Sequence, residues 1–384
     1  MFAFVLTVCV LVVAYAASFT LHHAPLWSWI WKIALAAGEY GLWFAGLAAG
    51  LGAIAALTTS GALRLTLVAL CVFAVVALLR PVFSAWRIGA TLREEMRRDF
   101  GAEARADAAP FSFTRLVWHD AIPPVPVETH TYAQADGVEL KLDFFRAQKA
   151  QAAGAPCIVV VHGGGWDSGE RTQLPEWNHR WAARGYAVAD LDYRLAPRHR
   201  WPAPREDVLA ALAWLKAHAR ELGVDATRFV LLGRSAGGQI ATAIAYGAHD
   251  AAIRGVISYY APQDMEFAWG VSREDDALNS VNLMRQYLGG PPDTPERRAL
   301  YASASAQAMI GPRTPPTLLL HGAPDTLVWH RHSERLTAAL RAAGVRHHFL
   351  SLPWATHAFD FNADGPGGQL ADYAIESFLR ATLR

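Results

Sequence analysis

The chain has 384 residues, enough for about two domains, and is 53% hydrophobic but 18% charged, apolar for a soluble enzyme. Its net charge is +1 and no basic stripe with interleaved aromatics occurs, so a nucleic-acid partner is not expected. Three cysteines cannot build a disulfide framework; Cys9, Cys71 and Cys157 all sit in apolar context and read as small buried hydrophobes.

The apolar excess lies at the N-terminus, where residues 1–79 hold three charged side chains, Lys32, Glu39 and Arg64. Uncharged runs at 2–19, 40–58 and 65–79 approach the roughly 20 residues that cross a bilayer. Trp27, Trp29 and Trp31 form an aromatic cluster of the kind that sits at headgroup level. Runs with no polar face predict an all-α transmembrane region over 1–82 with about three spans, and hence membrane lipid as a partner. Arg80, Arg87, Arg93, Arg97 and Arg98 directly follow the last run, which places the remainder of a multi-pass protein on the cytoplasmic side. Residues 83–110 read as a juxtamembrane amphipathic helix and linker resting on the anionic leaflet.

From 111 to 384 short β runs alternate with helical stretches, which predicts a mostly parallel sheet covered on both faces. The eight predicted strands are 127–132, 138–144, 157–161, 187–191, 228–232, 255–259, 317–320 and 348–352. The third is a continuous apolar run that ends in His162-Gly163-Gly164-Gly165-Trp166. Glycines there let backbone N–H groups point into a site, as donors to an oxygen that becomes negative when a carbonyl is attacked. The fifth strand ends in Gly233-Arg234-Ser235-Ala236-Gly237, a serine between glycines at a strand-to-helix turn. Alone that pattern is short enough to arise by chance, so its context carries it.

On three segments, His162-Gly163-Gly164-Gly165-Trp166, Asp192-Tyr193-Arg194-Leu195-Ala196-Pro197 and Gly233-Arg234-Ser235-Ala236-Gly237-Gly238, the chain resembles the hormone-sensitive-lipase-like α/β-hydrolases. That group includes acetyl esterases and arylacetamide deacetylases, and the resemblance covers roughly 125–384. It implies an α/β-hydrolase fold with Ser235 as nucleophile and Gly163, Gly164 and the N–H of Ala236 as oxyanion donors. The family's usual aspartate before the serine is Arg234 here, and the usual glutamate after Tyr-Arg-Leu-Ala-Pro is Arg198.

A serine hydroxyl needs a base and the base an orienting carboxylate, supplied in this fold in the chain order Ser, Asp, His. The seventh strand leads into His321-Gly322-Ala323-Pro324-Asp325, and the eighth is followed by Ala355-Thr356-His357-Ala358-Phe359. Asp325 is therefore the expected acid and His357 the base. Asp360 lies nearer His357 in sequence but does not follow the strand that carries the acid. His162 and His321 are expected to support loops, and Asp192, Tyr193 and Arg194 to brace one. Glu206 and Asp207 are expected to complement a helix N-terminus. No metal-ligand spacing, phosphate loop or dinucleotide fingerprint occurs, so no cofactor is expected. Residues 263–312 are long for a crossover and read either as part of an acyl pocket or lid or as covering helices.

These expectations amount to a membrane-anchored, lipase-like serine carboxylesterase acting on a small-molecule acyl ester, lipophilic or short-chain. An amidase or acyltransferase would share its acyl-enzyme, and a non-catalytic ligand-binding protein could share its fold.

Overall fold

The computed structural model describes residues 1–25, 30–119, 122–149 and 153–383. Trp27 and Trp29 of the aromatic cluster fall outside them.

The N-terminal region is α1 (Phe2–Ser18), α2 (Trp31–Glu39), α3 (Gly41–Thr58) and α4 (Gly61–Phe100). Among the described residues α3 and α4 are the helices long and apolar enough to cross a membrane; α1, at 17 residues, falls short, so three predicted spans become two by that measure. The packing is inverted relative to a water-soluble bundle. Ala17, Ala37, Ala45, Ala48, Ala74 and Ala77 form the interior, whereas Phe4, Leu11, Trp43, Leu47, Leu65 and Val76 face outward. Small residues let the helices approach closely: a Cβ on Gly41 would lie 2.3 Å from the Leu78 carbonyl oxygen. Cys71 and Cys157 are buried as expected, but Cys9 is exposed on the outward face of α1.

The second half of α4 corrects the juxtamembrane expectation. The helix runs unbroken through Pro81 to Phe100, and its apolar stripe, Ala85, Leu92, Met96 and Phe100, is buried in a core with Phe378. The rings of Phe100 and Phe378 meet edge-on at 4.9 Å, and His348 Nδ1 and Asp99 Oδ2 are 2.7 Å apart. The stripe that sequence alone offers to headgroups finds an apolar partner within the same chain.

The eight predicted strands all form, several of them longer than expected: β1 (Val127–Ala135), β2 (Val138–Phe145), β3 (Ala155–Val161), β4 (Ala187–Leu191), β5 (Val224–Arg234), β6 (Ile253–Tyr259), β7 (Thr317–Gly322) and β8 (His347–Leu352). They build one sheet in the order β1-β2-β4-β3-β5-β6-β7-β8. Pairings of β2 with β1 and β4 are antiparallel and the rest parallel. Side chains alternate across β3, so Cys157, Val159 and Val161 enter one core and Ile158 and Val160 the other.

The connecting helices are α5 (Pro175–Arg184), α6 (Ala203–Ala217), α7 (Ala219–Leu222), α8 (Ala236–Gly247), α9 (Met265–Val271), α10 (Ser280–Leu288), α11 (Pro295–Ser303), α12 (Arg331–Ala342) and α13 (Pro366–Thr382). Residues of α6, α8 and α12 close the first core, and those of α5, α13 and the second half of α4 the other. Asp207 departs from its expected capping role: it lies within α6, buried, and accepts from the backbone N and Nε of Arg194 at 2.8 and 2.9 Å. Arg194 thereby braces the loop after β4, as expected of it.

Candidate active site

Ser235 stands at the turn from β5 into α8 with φ +51° and ψ −118°. Holding a non-glycine residue there costs on the order of 1–3 kcal/mol, so the surroundings must enforce it. They do so by close packing. A Cβ on Gly233 would sit 2.1 Å from the Gly237 carbonyl oxygen, and one on Gly237 would sit 2.1 Å from that of Val161. A side chain at 233 would thus break the turn's own packing, and one at 237 would push the turn off the end of β3. The Ser235 N–H donates to the Tyr259 carbonyl at 3.0 Å.

His357, in the segment after β8, places Nε2 3.0 Å from Ser235 Oγ and Nδ1 2.7 Å from Asp325 Oδ2. Asp325 follows β7, is buried, and accepts at Oδ1 from the N–H groups of Leu327 and Val328 at 2.8 and 3.1 Å. His321 Nε2 lies 3.3 Å from its Oδ2. Burial alone would raise the Asp325 pKa, but attraction to His357 and hydrogen bonds from His321 and His357 outweigh it and hold the carboxyl well below its usual range. An ionised carboxylate accepts and cannot donate, so Nδ1 of His357 carries the proton and Nε2 presents its lone pair to the serine hydroxyl.

The glycine loop lies beside the nucleophile. A Cβ on Gly163 would be 3.5 Å from Ser235 Cβ, and Gly164, at φ +124°, would place one 2.1 Å from the Ser168 carbonyl oxygen. Ala236 opens α8, so its N–H belongs to the first-turn donors left without an intrahelical acceptor. The structure thus brings Ser235, Asp325, His357, Gly163, Gly164 and Ala236 to one place. His162, as expected, stays with its loop: Nδ1 lies 2.7 Å from the Gly163 carbonyl oxygen and the ring stacks on Tyr193. His321 likewise bonds Ser333 Oγ at 2.8 Å.

Sequence reasoning missed what Arg234 and Asp360 do. Both are buried, and Arg234 Nε donates to Asp360 Oδ2 at 2.5 Å. The Tyr260 hydroxyl donates to Asp360 Oδ1, and the Tyr260 ring lies 4.4 Å from that of His357. Burial disfavours the guanidinium charge, but Asp360 more than compensates and keeps it protonated. The departure from the family pattern at 234 is thus matched by a carboxylate on the histidine loop. The available signal was an arginine placed where a buried strand ends.

Ser235 lines two clefts. The narrower, about 70 Å³, is lined by Trp166, Ala268, Leu283, Met284 and Trp329, of which Ala268, Leu283 and Met284 come from the 263–312 insertion. The wider, about 640 Å³, includes Gly163, His357, Phe361 and Trp31 of α2. Among the described residues no group of three or more His, Cys, Asp or Glu is placed to hold a metal ion.

Residues 142–340 match the BD-FAE family. The chain is 28% identical over 313 residues to Esterase LipQ of Mycobacterium tuberculosis (strain ATCC 25618 / H37Rv), covering 72% of each. It is 29% identical over 264 residues to Esterase LipC of the same strain, covering 63% of this chain and 62% of LipC. Among solved structures, a bacterial heroin esterase aligns with a TM-score of 0.59 at 25% identity, covering 77% of this chain and 93% of that one. The Pyrobaculum calidifontis esterase aligns with a TM-score of 0.57 at 24% identity, covering 76% and 92%. With its eight-stranded sheet, its serine at the strand-to-helix turn and these relatives, the chain belongs to the BD-FAE family and is an ester-hydrolysing enzyme of α/β-hydrolase fold.

Proposed function

We propose that the protein is a membrane-seated serine carboxylesterase in which Ser235 is the nucleophile, His357 the general base and Asp325 the orienting acid. The observation that carries this reading is the unbroken chain from Ser235 Oγ to His357 Nε2 at 3.0 Å and from His357 Nδ1 to Asp325 Oδ2 at 2.7 Å. His357 takes the hydroxyl proton as Ser235 attacks the acyl carbon, and N–H groups of Gly163, Gly164 and Ala236 receive the oxyanion. The protonated imidazole then gives its proton to the departing alcohol. Water, deprotonated by the same histidine, releases the acid from the acyl-enzyme.

Membrane seating is supported by the outward-facing apolar side chains of α3 and the first half of α4 and by the length of those two helices. The arginines from Arg80 onward favour a cytoplasmic side for the catalytic domain in this reading. Ser235→Ala is expected to abolish hydrolysis of a chromogenic short-chain ester and labelling by a fluorophosphonate. Turnover by that variant at the wild-type rate would refute the assignment.

A further inference from the structure

The alcohol portion of an ester must leave on the side from which His357 delivers its proton. His357 lines the wider cleft and is absent from the walls of the narrower one, so the leaving alcohol occupies the wider cleft and the acyl group the narrower. One wall of the wider cleft is foreign to the sheet domain: Trp31, the first residue of α2, whose indole stands edge-on to the His357 imidazole at 6.5 Å. Phe361, which is exposed, adds a second aromatic to the same cleft as the half-buried Trp31.

The last residue of α2 fixes the helix in that place. Glu39 is buried; its Oε1 accepts from Trp354 Nε1 at 3.2 Å and its Oε2 from the N–H of Gly367 at 2.9 Å, while its carbonyl accepts from Asn362 Nδ2 at 3.1 Å. Trp354 and Asn362 bracket His357 in sequence, and Gly367 lies in the first turn of α13, where N–H groups lack helical acceptors. The receiving surface leaves room for the Glu39 carboxyl group. A Cβ on Gly365 would lie 2.5 Å from Glu39 Oε2, and one on Gly367 2.8 Å from Oε1.

We propose that α2 decides which alcohol portion the enzyme accepts, with Trp31 walling the leaving-alcohol cleft for bulky, apolar alcohols and Glu39 acting as the positioning residue that holds Trp31 there. This rests on the esterase reading above and goes beyond it by naming the substrate class and the element that selects it.

The test is the full-length chain in detergent micelles, with acid release titrated for a series of acetates from methyl to octyl and a series of methyl esters of lengthening acyl chain. The readout is kcat/KM for octyl acetate divided by that for methyl acetate. Trp31→Ala is expected to lower this ratio about tenfold, an indole face of apolar contact being worth about that much. The change should reside in KM, and Trp31→Phe should retain most of the wild-type ratio. Glu39→Ala should lower the same ratio, with Glu39→Gln restoring a large part because its amide oxygen still accepts a hydrogen bond. The acyl-length profile should keep its shape in all four variants. An unchanged alcohol ratio in Trp31→Ala, an equal fall for every alcohol, or a shift in the acyl profile would each overturn the proposal while leaving the esterase reading intact. A wild type that hydrolyses none of these esters would overturn both.

Discussion

Arg234 occupies the last position of β5, next to the nucleophile, in a layer where an isolated charge is costly. Its tolerance depends on Asp360, and the pair ties the serine turn to the histidine loop. Breaking such a pair from one side leaves an uncompensated charge, whereas replacing both partners by apolar groups is often neutral. Arg234→Met is therefore expected to destabilise the protein by about 3–5 kcal/mol. The double variant Arg234→Met with Asp360→Leu should recover most of that loss, measured by unfolding of detergent-solubilised protein. Additive losses in the double variant would refute the pairing. The hydrogen-bonded arrangement of Ser235, His357 and Asp325, the proposed triad, was legible in sequence because each member follows a recognisable strand. The partner of Arg234 was not, since charge alone does not say which of many carboxylates will be buried beside it.

At the scale of elements, α2 is short and carries its only carboxylate at its C-terminal end, which lacks favourable dipole placement within its own helix. Burial pushes the Glu39 pKa up to about 8, with Asp360 adding to the rise and the N–H groups of Gly367 and Trp354 partly opposing it. A carboxyl whose folded pKa lies above its unfolded value near 4.5 contributes stability in full below that value. The contribution fades as pH rises and is gone above about 8. Wild-type melting temperature is thus expected to fall between pH 5 and pH 8.5, and Glu39→Gln, which cannot ionise, to flatten that slope. Identical slopes in the two proteins would show that Glu39 is not the titrating group. The strands were readable from their apolar runs and terminal glycines. The fate of α4 beyond Pro81 was not, because an amphipathic stripe fits a leaflet and a protein core equally well.

For the whole molecule, the inverted packing of α1, α3 and α4 and the docking of α2 and α4 on the sheet domain make the N-terminal region part of the enzyme and more than a tether. The apolar belt predicts that the chain stays with the membrane pellet through high salt and alkaline carbonate and is released by detergent. Release by salt alone would contradict a seat in the hydrocarbon layer and favour a purely electrostatic attachment.

Sequence by itself determined the order Ser235, Asp325, His357 of the proposed triad, the glycine loop, the strands and the apolar character of the first 79 residues. Each of these is written in local spacing, glycine demands and short-range periodicity, which neighbouring backbone atoms enforce whatever the rest of the chain does. Tertiary structure alone decided that Arg234 meets Asp360, that the second half of α4 covers the sheet, and that Trp31 and Glu39 reach the histidine loop more than 300 positions away. Such pairings depend on the complementarity of whole surfaces once they are folded, and no window of sequence contains both sides of the contact.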